Sequence, residues 1–192
     1  MLFTAHTGSG RFLNDVALTK GAVYVTDSRT AEIVVVPLGR RSALPAPGTF
    51  RMLAVTGDYV QPQGNGLNGI RVLRTGDLVV VSGGRLYAVD RRTGKADLIV
   101  QRGRALTAGD GLVLHGRTLY VVNGYGGNEV VVLRFARDFG STHARGRLTD
   151  SRLDRPTTGA LIDGDLYVVN GRFRTLEKNP DAPVHVVRLR AD

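Results

Sequence analysis

Asp110–Gly124 reads DGLVLHGRTLYVVNG, and Thr158–Gly171 reads TGALIDGDLYVVNG. Each is a short apolar run, a tight polar turn carrying glycine, and a second apolar run ending in Asn-Gly. Runs rich in valine and bounded by Gly, Asp, Asn or Arg are the signature of short β-strands joined by turns. The same order occurs twice more. Asn14–Leu18 precedes GAVYVTDS (21–28) and EIVVVPL (32–38). Asn68–Val72 precedes GDLVVVSGG (76–84), RLYAVD (85–90) and ADLIV (96–100). After the two quoted segments come NEVVVLRF (128–135) and VHVVRLR (184–190). The units start at 14, 68, 110 and 158, so the spacings are 54, 42 and 48 residues. No segment has the 3.6-residue apolar period of an amphipathic helix.

A period of ~40–50 residues with three or four strands per unit predicts an all-β fold of the β-propeller type. The sequence predicts one propeller domain or fragment over 1–192, with four blades present, as an incomplete six-bladed type. One small twisted sheet cannot bury both its faces, and radial stacking lets each blade cover its neighbour. An open ring would leave blade edges unpaired, and self-association through them is expected.

Composition narrows the function. The 192 residues include no cysteine, 42% apolar and 22% charged residues, and a net charge of +9. This is a globular balance without disulfides, zinc fingers or a cysteine nucleophile. Of 26 basic residues, only Lys20, Lys95 and Lys178 are lysine. The arginines are scattered through turns and strand ends, with no aromatic stacking platform, so no nucleic-acid partner is predicted. No apolar run approaches the ~18 residues of a membrane span, and no membrane partner is predicted. The start, MLFTAHTGSG, lacks a basic region followed by an apolar stretch, so it does not read as an export signal.

The polar residues at the unit starts are Asn14-Asp15, Asn68, Asp110 and Thr158. In a propeller they converge toward the channel. There, a carboxylate and amide carbonyls form an oxygen-ligand site suited to calcium, magnesium or manganese, and less selectively zinc. The same residue types also cap turns by bonding their own backbone, and spacing leaves both readings open. Gly64–Gly69 matches G-x-G-x-x-G by letter but lacks the strand-then-helix setting, so it reads as a loop entering an inner strand. Asn123 and Asn170 read as turn residues, with a channel-facing role as the alternative. His6, His115, His143 and His185 read as surface or strand-packing residues.

FLNDVAL with VYVTDS, NGLNGIRV, GDGLVLHGRTLYVVN and RPTTGALIDGDLYVVN resemble the senescence-marker-protein (regucalcin)/gluconolactonase family, in its actinobacterial branch. The resemblance runs from about residue 10 to the end. It implies a six-bladed propeller that binds one divalent metal, calcium first, and hydrolyses lactones or related esters. It implies Asn68 and Asp110 as metal ligands, Asp110 as catalytic base and Asn14 beside the substrate. Relatives in this branch are often exported. The family's early glutamate ligand, in a P-E-G-like context, has no counterpart here. The four units match the last four blades, which leaves about two blades missing. Competing expectations are a non-catalytic interaction scaffold and a strictosidine-synthase-like propeller with other chemistry.

Overall fold

The computed structural model describes residues 3–191. The fold is an all-β propeller of four blades. Blade 1 contains β1 (Leu13–Leu18), β2 (Ala22–Asp27), β3 (Glu32–Pro37) and β4 (Arg51–Ala54), in that spatial order. Blade 2 runs from β6 (Leu67–Val72) through β7 (Leu78–Ser82) and β8 (Arg85–Val89) to β9 (Lys95–Leu98). The short β5 (Thr56–Gly57) lies parallel to β9 on its outer side. Blade 3 repeats the plan with β11 (Leu112–His115), β12 (Thr118–Asn123), β13 (Glu129–Phe135) and β14 (Ser141–Leu148), and β10 (Val100–Arg102) lies parallel to β14. Blade 4 has three strands, β15 (Pro156–Ile162), β16 (Asp165–Asn170) and β17 (Val186–Arg190).

The chain forms two compact units. One holds residues up to Ser82 together with Leu86–Leu98, and the other Gly83–Arg85 together with Ile99 onward. Within each unit the innermost strands of two blades adjoin, β1 beside β6 and β11 beside β15. The period-2 alternation of strands explains the cores. Leu78 and Val80 join Ile33, Val35, Ile70 and Tyr87 in the core of the first unit. Tyr120, Val122 and Val130 join Leu166, Val168 and Val187 in the second. Val79 and Val81 face the opposite side of β7 and are equally buried. Each such side chain contributes roughly 1.5–3 kcal/mol of transfer free energy.

Three features differ from the sequence expectation. A short helix, α1 (Phe173–Lys178), interrupts the β16–β17 connection and buries none of its residues. Its stability does not come from an apolar stripe, which is why periodicity misses it. β4 supplies an outer strand of blade 1 although RMLA is a short, unremarkable stretch. The longest strand, β14, belongs to none of the strands that the sequence predicts. Its sequence STHARGRL has one fully buried side chain, Thr142, and exposed positions from His143 to Arg147. A strand whose outer face is arginine and histidine has no apolar alternation to detect. Among the described residues, no helix is long and apolar enough to cross a membrane.

Candidate functional site

The unit starts sit on irregular backbone. The β1–β2 register shifts between Leu13 and Val16, and the β6–β7 register between Leu67 and Ile70. Asn14-Asp15 and Asn68-Gly69 occupy those irregularities. A bulge leaves residues out of the ladder and re-aims their side chains. At β15 the shift falls between Pro156 and Thr158.

In the first unit a polar seam links the two blades. The Thr26 hydroxyl donates to the Asn68 carbonyl at 2.7 Å, and the Ser28 hydroxyl donates to the Leu67 carbonyl at 2.7 Å. The Asn14 side-chain amide donates to Ser28 Oγ at 3.0 Å. Thus the Asn14 amide is one hydroxyl removed from the strand that carries Asn68. Asp15 acts differently. Its Oδ2 accepts from the Ile70 N–H at 3.1 Å and from Arg71 at 2.8 Å. It clamps β6 to β1, and this carboxylate is committed to structure.

Below the seam, Tyr59 donates to Gln61 Oε1 at 2.5 Å, while Gln61 Nε2 and the Gly66 N–H both donate to the Ser28 carbonyl. A Cβ at Gly66 would come within 2.4 Å of the Tyr59 hydroxyl. The glycine is required by this close approach, and the segment is the loop into an inner strand that the sequence predicts. Burial pushes the Tyr59 phenol above its ordinary range, outweighing its hydrogen bonds to Ser82 and the Leu67 backbone.

Asn68 itself carries an unusual atom. Its Oδ1 is buried and accepts no hydrogen bond from the described residues. A buried acceptor left without a donor costs about 1–3 kcal/mol. Native structures retain such groups rarely, and an ion or water is a common reason.

Asp110 lies in the second unit, half-buried, immediately before β11. Its N–H donates to the Val122 carbonyl at 2.9 Å, and the next N–H, of Gly111, donates to the Thr157 carbonyl at 2.7 Å. A Cβ at Gly111 would lie 2.6 Å from Thr158 Oγ1 and 2.7 Å from the Thr157 carbonyl oxygen, so glycine is what lets β11 and β15 approach. Thr158 is exposed.

The Asn residues after YVV are turn anchors. Asn123 Oδ1 accepts the Gly126 N–H at 2.8 Å, and its Nδ2 donates to Thr107 at 3.2 Å. Asn170 Oδ1 accepts the Asp154 N–H at 3.0 Å, and its Nδ2 donates to the Arg152 carbonyl at 2.8 Å. Both amides are fully engaged, in agreement with the turn reading. All four histidines are exposed. Among the described residues, no three His, Cys, Asp or Glu side chains cluster as a metal site.

One charged pair was not singled out from the sequence. Glu129, 6% exposed, meets Arg147 at 2.7 Å. Its signal is positional, because Glu129 pairs across the ladder with Asn123, and Glu32 likewise pairs with Asp27.

No family model and no curated protein matches the chain. Solved propeller structures do. A protein of Bacteroides uniformis assigned as a 6-phosphogluconolactonase is 17% identical with a TM-score of 0.53. The match covers 81% of this chain and 48% of that one. The major Malassezia sympodialis allergen Mala s 1 is 20% identical at TM-score 0.63, over 95% of this chain and 56% of that one. Virginiamycin B lyase from Staphylococcus aureus is 11% identical at TM-score 0.58, over 86% and 50%. The chain spans about half the length of these proteins. At such identities the likeness establishes the propeller fold.

Proposed function

We propose that this chain belongs to a cation-dependent hydrolase of lactones or related esters, with Asn68 supplying a metal ligand. The observation that carries the reading is the buried, unpartnered Asn68 Oδ1. A neutral amide oxygen is a hard donor of the kind calcium accepts, and magnesium, manganese or zinc are the alternatives. Likeness to a protein assigned as a lactonase supports the substrate class.

The family resemblance alone assigns Asp110, which lies in the second unit while Asn68 lies in the first, as the anionic ligand and base. When bound, the cation polarises the substrate carbonyl and acidifies a water. Asp110 accepts a proton as water oxygen bonds to the acyl carbon. The acyl–oxygen bond to the leaving alkoxide then breaks and the proton passes to that oxygen, giving a hydroxy acid from a lactone. Asn14, exposed and tethered through Ser28, orients the substrate.

Calorimetric titration of the chain with calcium is the test. Saturable binding that falls at least about tenfold in Asn68→Ala and in Asp110→Ala is expected, each ligand being worth a charge-assisted contact. Absence of binding, or equal affinity in Asn68→Ala, would replace this reading with the scaffold one.

A further inference from the structure

A cavity of about 130 Å³ opens in blade 3 beside the Glu129–Arg147 pair. Leu106, Val131 and Ala144 contribute apolar lining, and Arg104, Glu129 and Arg147 contribute charged lining. Leu106 and Val131 are buried, at 6% and 8% exposure.

The charged lining is rich in donors. A guanidinium carries five N–H donors and no acceptor. Arg147 donates to Glu129 Oε2 at 2.7 Å. Arg104 has no hydrogen-bond or ion-pair partner among the described residues. Glu129 is already engaged on both oxygens, since Oε1 receives the Asn123 amide at 3.4 Å. Of the two arginines lining the cavity, only Arg147 is paired with the carboxylate, and among the described residues the Arg104 N–H groups have no acceptor. What fits this lining is an anion with two coplanar oxygens, the geometry that a guanidinium fork recognises.

Size limits the remainder of the ligand. An apolar cavity of about 150 Å³ holds benzene, so this one takes about six non-hydrogen atoms. We propose that the blade 3 cavity binds a short-chain aliphatic carboxylate. Its head lies against Arg104 and Arg147, and its alkyl body against Leu106 and Val131. Glu129 positions Arg147 for this contact. None of these residues takes part in the proposed hydrolytic site, and the two assignments stand or fall separately.

The test uses ligand-observed NMR titration of the full chain with butyrate, with a chelator present. Butyramide, of equal size and neutral, is the control. Butyrate should bind in the millimolar range expected of so small a ligand, and at least about tenfold more tightly than butyramide. Arg104→Gln should weaken butyrate about tenfold. Gly146 also lines the cavity, and a Cβ there meets no heavy atom within 4 Å. Gly146→Val should therefore fold, as circular dichroism would confirm, while the added bulk abolishes binding. Equal affinity for butyrate and butyramide would overturn the proposal. So would butyrate binding that survives Gly146→Val in a folded chain, or inorganic phosphate binding as tightly as butyrate.

Discussion

The β2–β3 hairpin of blade 1 and the β12–β13 hairpin of blade 3 solve one problem with different charges. In both, the last residue of the first strand faces a glutamate across the ladder, Asp27 with Glu32 and Asn123 with Glu129. Both need a cation. Blade 1 takes it from the segment leading into β1: Arg11 reaches Asp27 at 3.0 Å and Glu32 at 2.7 Å. Blade 3 uses the Thr107 hydroxyl on the corresponding leading segment and recruits Arg147 from β14. The source of the cation changes the surroundings. Arg11 is spent inside a network with Thr7, Asp27, Thr30 and Glu32. Arg147 keeps 41% of its side chain exposed and borders a cavity. A repeated position can thus be structural in one blade and available to a ligand in another.

The contrast is open to mutation. The largest effect is expected at Asp27, whose side chain is fully buried. Asp27→Ala strands the Phe12 and Arg29 N–H groups and removes one of the two carboxylates on Arg11. A loss of about 3–5 kcal/mol in urea unfolding is expected, as for other broken buried pairs. Glu129→Ala should cost less, about 1–2 kcal/mol, because Arg147 can turn to water. If the two losses are equal, the exposure of Arg147 is irrelevant and the comparison fails.

The finest test is Asp27→Asn, which writes the blade 3 solution into blade 1. The amide oxygen can keep the Phe12 and Arg29 bonds, so the expected loss at neutral pH is about 1 kcal/mol. Burial pushes the Asp27 carboxyl up, but the Phe12 and Arg29 N–H groups and the Arg11 and Thr30 side chains outweigh it and hold it below the usual range. Its contribution is therefore complete above the unfolded carboxylate value of about 3.9, and is lost as pH falls through the lower folded value. The variant should show a flatter acid limb in stability against pH. An unchanged limb would mean that Asp27 is not the titrating group.

The sequence made blades legible because valine runs report burial directly, and the order of turns reports the repeat. β14 was illegible for the same reason, since its exposed arginines and histidine carry no burial signal. The candidate ligands were legible by position alone. Asn14, Asp15 and Asn68 look alike as polar residues at strand starts. The fold separates Asp15, which holds Arg71, from Asn68, whose side-chain oxygen accepts nothing from the described residues. Glu129 and Arg147 are far apart in sequence and meet through strand pairing, which no local pattern reveals.

β5 and β10 each come before the blade whose rim they complete. The Thr56–Lys95 and Val100–Ser141 partners are separated by about forty residues, and each join is parallel. Each small ladder therefore closes a loop of about forty residues and acts as a latch on the rim of its blade, held by non-local contacts rather than by a hairpin turn.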